Sequence, residues 1–187
     1  MRMAILLSVH QEWVEKIASG EKTVEVRKTA PAHLYEPFTV YMYESSGTQR
    51  VGNENLGCTI KGNGRMAVVG QFTCDNICLV DKDSIGYFFR WPGRIQYAGE
   101  PGGKYRDCMT PQQRWDYLGI KVGYGWHIKD VRMFKEPVPL PMFRHPCTRS
   151  GPCNGCKHAE LDPQDMLLHC ENRVQRPPQS WMYVEER

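Results

Sequence analysis

The longest uninterrupted apolar run in this chain extends only from Met3 to Leu7. A bilayer-spanning helix needs about 20 apolar residues and a secretion signal about 7 to 15, so we expect neither, and no membrane partner. Of the 187 residues, 41% are hydrophobic and 24% charged, which is typical of a globular domain with its own core. Eight cysteines without an export signal indicate a reducing compartment. We therefore expect one cytoplasmic domain spanning residues 1–187.

The pattern near the N-terminus predicts a strand, a helix and a second strand in succession. A short apolar strand leads to Ser8, which with Gln11 has the residue types of a capping box, so we expect the helix to begin there. Gly20 supplies its C-terminal stop. From Thr23 to Lys28 apolar and polar residues alternate, as in a half-buried strand. The apolar face of the helix is formed by Trp13, Val14, Ile17 and Ala18.

Strand patterns outnumber helix patterns in the rest of the chain. We predict strands over residues 38–43, 66–75, 127–134 and 181–185. Thr110, Pro111 and Gln113 have the residue types of the N-cap, N1 and N3 positions of a second helix, and Asp162 with Pro163 predicts a third. This succession predicts an α+β fold built on a curved antiparallel sheet.

Residues 20–27 carry the pattern G-x-K-x-x-E-x-R, formed by Gly20, Lys22, Glu25 and Arg27. The pattern lies between the predicted helix and the next strand, and it resembles the motif of the ASCH domain family. The similarity extends to residues 5–8, 12–17, 68–72, 125–128 and 177–181. It implies a PUA-like fold, a small antiparallel β-barrel flanked by helices with a cleft near the motif. It also implies a ligand, because members of the family bind RNA or modified nucleosides.

The same resemblance leaves two kinds of function open. Some relatives are amidohydrolases that remove an acyl group from N4 of acetylcytidine with a lysine, a threonine and a glutamate, and another is described as a ribonuclease. Lys22 matches that lysine, whereas Glu25 stands where the hydrolases have threonine. The missing hydroxyl favours a binding module over an enzyme, unless Ser8, Thr23 or a water molecule supplies the nucleophile.

The motif side chains also have a chemistry of their own. Glu25 and Arg27 should project from one face of the strand, with Lys22 at the turn before it. Two cations beside one carboxylate suit an anionic ligand, because arginine binds phosphate bidentately and lysine acts as a point charge or a base. The alternative is a solvent-exposed strand face with an ordinary salt bridge. Ser8 and His10, which we place at the start of the first helix, are further candidates for the cleft, as is His127 beside Trp126.

Residues 86–108 combine glycines and prolines with aromatic and basic side chains, which predicts a long loop. Cations that neutralise phosphates and rings that stack on unpaired bases are what a protein needs to bind single-stranded RNA. Trp91, Arg90 and Arg94 are the candidate ligand-binding residues. The alternative is that these rings pack on the sheet and close its core.

Residues 144–173 form a predicted cysteine-rich insertion. Its cysteines have the spacing C-x5-C-x2-C-x13-C, which suits a structural zinc ion held by four thiolates. A nearby histidine could replace one of them, and the alternative is a set of free or buried thiols. The candidate metal ligands are Cys147, Cys153, Cys156 and Cys170. Cys74 and Cys78, in contrast, should pack in the core.

Three hypotheses about function follow. The first is a module that binds RNA or a nucleotide in a cleft formed by the motif residues. The second is an enzyme that uses Lys22 as its catalytic residue, either a hydrolase acting on a modified nucleoside or a ribonuclease. The third is a protein interaction module whose contact surface is the cysteine-rich segment.

Overall fold

The computed structural model describes residues 2–51, 58–80, 85–90, 94–97, 105–147 and 170–187. The helices are α1 (Gln11–Ala18), α2 (Pro111–Leu118) and a short 3-10 helix (Leu140–Met142). The strands are β1 (Met3–His10), β2 (Val24–Arg27), β3 (Phe38–Ser45), β4 (Thr48–Val51), β5 (Cys58–Lys61), β6 (Ala67–Val80), β7 (Ile85–Arg90), β8 (Arg94–Tyr97), β9 (Gly123–Val138) and β10 (Trp181–Glu185). No helix among these residues is long and apolar enough to cross a membrane.

The strands form one branched sheet and a separate pair. The main path runs β10-β1-β3-β6-β7-β8, while β9 pairs with both β6 and β2, and β4 pairs with β5. The predicted α+β class is confirmed, but the predicted barrel is wrong, because in the described part of the chain this path does not close. β6 has 14 residues and β9 has 16. Strands of that length pair with different neighbours along their course, so the sheet branches instead of returning to its first strand.

The contacts divide the chain into two compact units. The first consists of Met1–Gln11, Tyr41–Gly70 and Phe134–Arg187. In it β1 and β10 pair antiparallel, with Leu6 opposite Met182. Glu44 is buried there and accepts hydrogen bonds from Arg65. The core of this unit is formed by Ala4, Leu6, Tyr41, Tyr43, Val68, Leu140, Phe143, Val174 and Val184.

The second unit consists of Glu12–Val40 and Gln71–Met133. One of its clusters joins Val24 and Val26 of β2 to Cys78, Val80 and Leu118. Cys74 and Cys78 are both buried, which confirms their predicted place in the core. At Gly125 an added Cβ would lie 2.5 Å from the Cys78 Sγ atom, so this position needs glycine for β9 to approach so closely.

Three expectations about individual elements need comment. The first helix begins at Gln11 and not at Ser8, because β1 continues to His10, which therefore lies on a strand. The Ser8 hydroxyl donates to the Pro178 carbonyl at 2.6 Å instead of capping a helix. Part of the predicted loop over 86–108 forms the paired strands β7 and β8, with Arg90 opposite Arg94. The third helix predicted at Asp162 lies outside the described residues.

Candidate functional site

The turn between α1 and β2 places Lys22 immediately before the strand. Gly20 has a φ of +76°, a left-handed conformation that glycine adopts without a steric penalty. The Lys22 backbone N–H then donates to the Lys16 carbonyl at 2.9 Å. The glycine of the motif therefore serves to turn the chain, and its lysine is fixed by the end of the helix.

Pairing with β9 determines the face on which the motif side chains lie. Glu25 stands opposite Trp126 and Arg27 opposite Tyr124 in the antiparallel register. Directly opposite residues share a face of the sheet, as do residues two apart on one strand. Glu25 and Arg27 therefore lie on one face, as the alternating sequence predicts. Trp126 on that face is fully buried and packs edge-on against Phe38 at 5.8 Å between ring centroids.

Lys22, Glu25 and Arg27 form one ion-pair cluster, which we call the motif cluster. An Arg27 Nη2 atom lies 2.7 Å from Glu25 Oε1, and Lys22 Nζ lies 3.4 Å from Glu25 Oε2. Lys22 Nζ also donates to the Asp107 carbonyl at 2.5 Å. It lies 4.7 Å from the centroid of the Trp13 ring, within cation–π distance.

The motif cluster is buried. Lys22 is 2% exposed, Glu25 5% and Arg27 8%. The alternative of a solvent-exposed strand face with an ordinary salt bridge is therefore wrong. Among the described residues no hydrogen-bond donor reaches Glu25 Oε2 with suitable geometry, although the Lys22 charge lies close to it.

Residues 105–109 fix the turn and β2 from the other side. The Arg106 carbonyl accepts hydrogen bonds from Thr23 N at 2.8 Å and Val24 N at 3.0 Å. The Arg106 guanidinium donates to the carbonyls of Gly20 and Glu21. The buried Asp107 carboxylate in turn accepts from Arg114 Nε at 2.5 Å. This segment therefore holds the motif cluster in place.

The comparisons with known proteins address the same part of the chain. Residues 7–72 match the model of the ASCH domain. This match confirms the resemblance drawn from the motif. The ASCH family generally binds RNA. The sequence matches no curated protein.

Solved structures of ASCH proteins share the fold. A tyrosine-to-phenylalanine variant of the ASCH protein from Zymomonas mobilis is 18% identical with a TM-score of 0.53, over 99% of this chain and 92% of that chain. The unsubstituted protein is 16% identical with a TM-score of 0.53, over 98% and 88%. At these identities the likeness shows the fold, and ASCH proteins of this kind are PUA-like.

The candidate residues do not all lie in the compact unit that contains the ASCH motif. Ser8 and His10 belong to the first compact unit, whereas the motif cluster belongs to the second. Arg90 and Arg94 are described only by their backbone pairing, and Trp91 lies outside the described residues. The ligand-binding roles of these residues stay predictions.

The proposed zinc ligands fall only partly within the described chain. Cys147 and Cys170 are free thiols, while Cys153 and Cys156 lie outside. Among the residues that the structure describes, no group of three or more His, Cys, Asp or Glu side chains is placed to hold a metal ion. Zinc and the insertion that would carry it therefore stay predictions.

Sequence reasoning missed several residues around the motif cluster. Asp107 contacts it and Arg106 binds the turn before β2, both from a distant segment, and no local pattern places them there. Asp75 was also missed: its Oδ1 atom lies 2.5 Å from Nδ1 of His127, the histidine that the sequence marks as a candidate for the cleft. Tyr105 packs edge-on against that imidazole at 5.0 Å between ring centroids. The carboxylate thus fixes the orientation of a partly exposed histidine beside β2.

Proposed function

We propose that this protein binds RNA or a nucleotide through the motif cluster. The observation that carries the proposal is the burial of Lys22, Glu25 and Arg27 within the stretch that matches the ASCH domain. Buried ion pairs give little net stability, because the cost of removing charges from water offsets their attraction. Buried ionisable groups are instead common at functional sites.

The charges of the motif cluster suit a ligand with a phosphate. Two cations and one carboxylate give a formal charge of 2 − 1, or +1. Arginine and lysine donate charge-assisted hydrogen bonds to phosphate oxygens, which are stronger than neutral ones. Glu25 Oε2 is an acceptor that a ligand hydroxyl or amino group can satisfy.

The described nucleophile candidates favour binding over hydrolysis. The Thr23 hydroxyl accepts from the Arg106 backbone N–H at 2.8 Å, and the Ser8 hydroxyl donates to the Pro178 carbonyl. Cys108 is a further nucleophilic group near Lys22. Burial raises the pKa of its thiol, although the Lys22 charge acts in the opposite direction, and a protonated thiol is a weak nucleophile. The alternative function is a hydrolase acting on a modified nucleoside, or a ribonuclease, with Lys22 as its base.

The first prediction concerns Lys22. Replacing it with Met should weaken binding of single-stranded RNA by about tenfold or more, because a hydrogen bond to a charged group is worth about 1.5 to 3 kcal/mol. Fluorescence anisotropy over a range of salt concentrations measures this, with a wild-type slope of about 0.7 per phosphate neutralised. The matched control is Lys121→Ala, which removes the same charge from an exposed position and should change affinity less than twofold.

Because Lys22→Met leaves Glu25 with one cation fewer, the double variant Lys22→Met, Glu25→Gln should be measured beside it. This variant removes both partners, so loss of binding with an unchanged melting temperature assigns the effect to the ligand. Wild-type affinity in either well-folded variant would contradict the proposal. Turnover of N4-acetylcytidine or RNA by the wild type, lost with Lys22, would establish the enzyme alternative.

A further inference from the structure

A pocket of about 580 Å³ lies within the second compact unit. This volume is within the range of small-molecule sites and accommodates one nucleotide. Lys22, Glu25 and Arg27 are not among its lining residues, so it is a separate subsite. Ile77 of β6 and Tyr124 of β9 line it together with residues from the segment 28–36 that follows β2.

The register of β2 and β9 places one wall of the pocket on the sheet face that carries the motif cluster. Tyr124, which lines the pocket, stands directly opposite Arg27. The two side chains therefore share the face that also carries Glu25. Lys28, which also lines the pocket, follows Arg27 in the chain. A ligand whose anionic group lies at Arg27 therefore has the pocket beside it.

The walls of the pocket suit the flat face of a ring. Most of the lining is apolar, from Ala30, Pro31, Leu34 and Ile77, and Tyr35 and Tyr124 add aromatic rings. Tyr35 is 65% exposed, so its ring is accessible to a ligand instead of being packed in the core. Unpaired bases stack on exposed aromatic rings of this kind.

Glu36 gives the pocket a preference for bases that carry an amino group. Its carboxylate is the acidic group among the described lining residues. A carboxylate only accepts hydrogen bonds when ionised, so it pairs with the exocyclic amino group of cytosine or adenine. Uracil presents a carbonyl at the corresponding position and gains nothing from it.

We infer that this pocket takes an amino-bearing base of the bound nucleotide or RNA, with Tyr35 stacking on the base and Glu36 accepting from its amino group. The inference rests on the proposed function, since the motif cluster supplies the contact to phosphate. A free mononucleotide and one nucleotide within an RNA chain both carry such a base and a phosphate, so either ligand could bind in this way.

The test compares ligands that differ in one group. CMP and UMP, and oligonucleotides of cytidine and uridine, are titrated into the wild type and into Tyr35→Ala, Tyr35→Phe and Glu36→Gln. We expect the wild type to prefer the cytidine ligands. Tyr35→Ala should weaken their binding about tenfold or more, because a stacked base loses its platform, while Tyr35→Phe keeps it. Glu36→Gln should abolish the preference, because an amide can serve either base.

The control is Trp115→Ala, which removes another exposed aromatic ring, from α2, and should leave affinity unchanged. If CMP binds and its affinity depends on Tyr35, the ligand is a free nucleotide. If only the oligonucleotides bind with an affinity that depends on Tyr35, the ligand is RNA. Equal affinity for cytidine and uridine ligands, or no effect of Tyr35→Ala, overturns the inference while binding that requires Lys22 still supports the proposed function. A wild type that binds none of these ligands, nor AMP nor a mixed-sequence RNA, overturns both.

Discussion

Cys78 is held against the backbone of β9, with its thiol donating to the Gly125 carbonyl at 3.3 Å. Burial raises the pKa of this thiol to about 12. Burial also raises the pKa of the Cys74 thiol well above its usual value. Both thiols therefore stay protonated in the folded protein at a pH where an unfolded chain has lost those protons.

This difference predicts a loss of stability at alkaline pH. The contribution of Cys78 is fully present below about pH 9 and is lost as pH rises towards 12, because the unfolded state releases its proton first. The loss amounts to at most about 1.4 kcal/mol per pH unit. Urea unfolding between pH 8 and 10.5 should show a shallower pH dependence for Cys78→Ala than for the wild type. Val80→Ala, which shortens a side chain of the same cluster that does not titrate, should keep the wild-type slope, and equal slopes for Cys78→Ala and the wild type would contradict the assignment.

The three motif residues could be named from the sequence because their spacing is local. Lys22 follows a helix stop, and Glu25 and Arg27 are two positions apart on a strand, so a short pattern determines their placement. Their burial could not be predicted, because it depends on Asp107 and Trp13, whose contacts with Lys22 form only in the folded chain. Tyr35 and Glu36 likewise lie in a segment with no periodicity, and only their place beside Tyr124 marks them.

At the scale of elements, α2 is specified by its own first turn. Thr110 Oγ1 accepts from Gln113 N at 3.1 Å, and the Gln113 side chain accepts from Thr110 N at 2.8 Å. This capping box satisfies two backbone donors that have no partner within the helix. α2 also carries Arg114, which binds the Asp107 carboxylate and so connects the cap to the segment that holds the motif cluster.

We therefore expect Thr110→Ala to lower the free energy of unfolding by about 1 kcal/mol, the usual cost of losing an N-cap. Gln113→Ala removes the reciprocal bond, and the double variant should lose less than the sum of the single losses, because the two bonds form one motif. Chemical denaturation of the four proteins measures this cycle. Gln112→Ala, at an exposed neighbouring position, serves as the control. Strictly additive losses would show that the two side chains act independently.

The elements that could be predicted are those whose signals lie within a few residues. The capping box placed α2 correctly, and alternation placed β2. The start of α1 was wrong because the serine that looked like its cap binds the carbonyl of a residue 170 positions away. The loop expected at 86–108 was partly wrong because glycines and prolines flank paired strands there.

The α+β class of the fold could be predicted from the sequence, but whether the sheet closes into a barrel could not. Local sequence patterns predict where strands lie, but the choice of pairing partners determines whether the sheet closes or branches. β6 pairs with β3, β7 and β9, and no period in its 14 residues indicates three neighbours. The same limit applies to the cysteine spacing, which indicates candidate zinc ligands but not whether they lie together in the fold.

The zinc hypothesis yields a prediction for the intact protein. If Cys147, Cys153, Cys156 and Cys170 hold the metal, reduced protein purified without chelators should carry about one zinc per chain. Elemental analysis measures this content, and a chelator should speed hydrogen exchange in residues 144–173 more than elsewhere. Cys153→Ser should lower the zinc content, and Cys108→Ser should retain it. Protein that is fully reduced and free of zinc would refute the hypothesis.

The hydrogen bond from Lys22 to the Asp107 carbonyl joins residues 85 positions apart. A ribosome adds about 5 to 20 residues per second, so the Asp107 carbonyl is synthesised roughly 4 to 17 seconds after Lys22. A nascent chain halted after residue 104 would contain the whole ASCH match of residues 7–72, but neither Arg106 nor Asp107. The site is therefore completed only once residue 107 has been added, and the segment that carries its signature does not complete it alone.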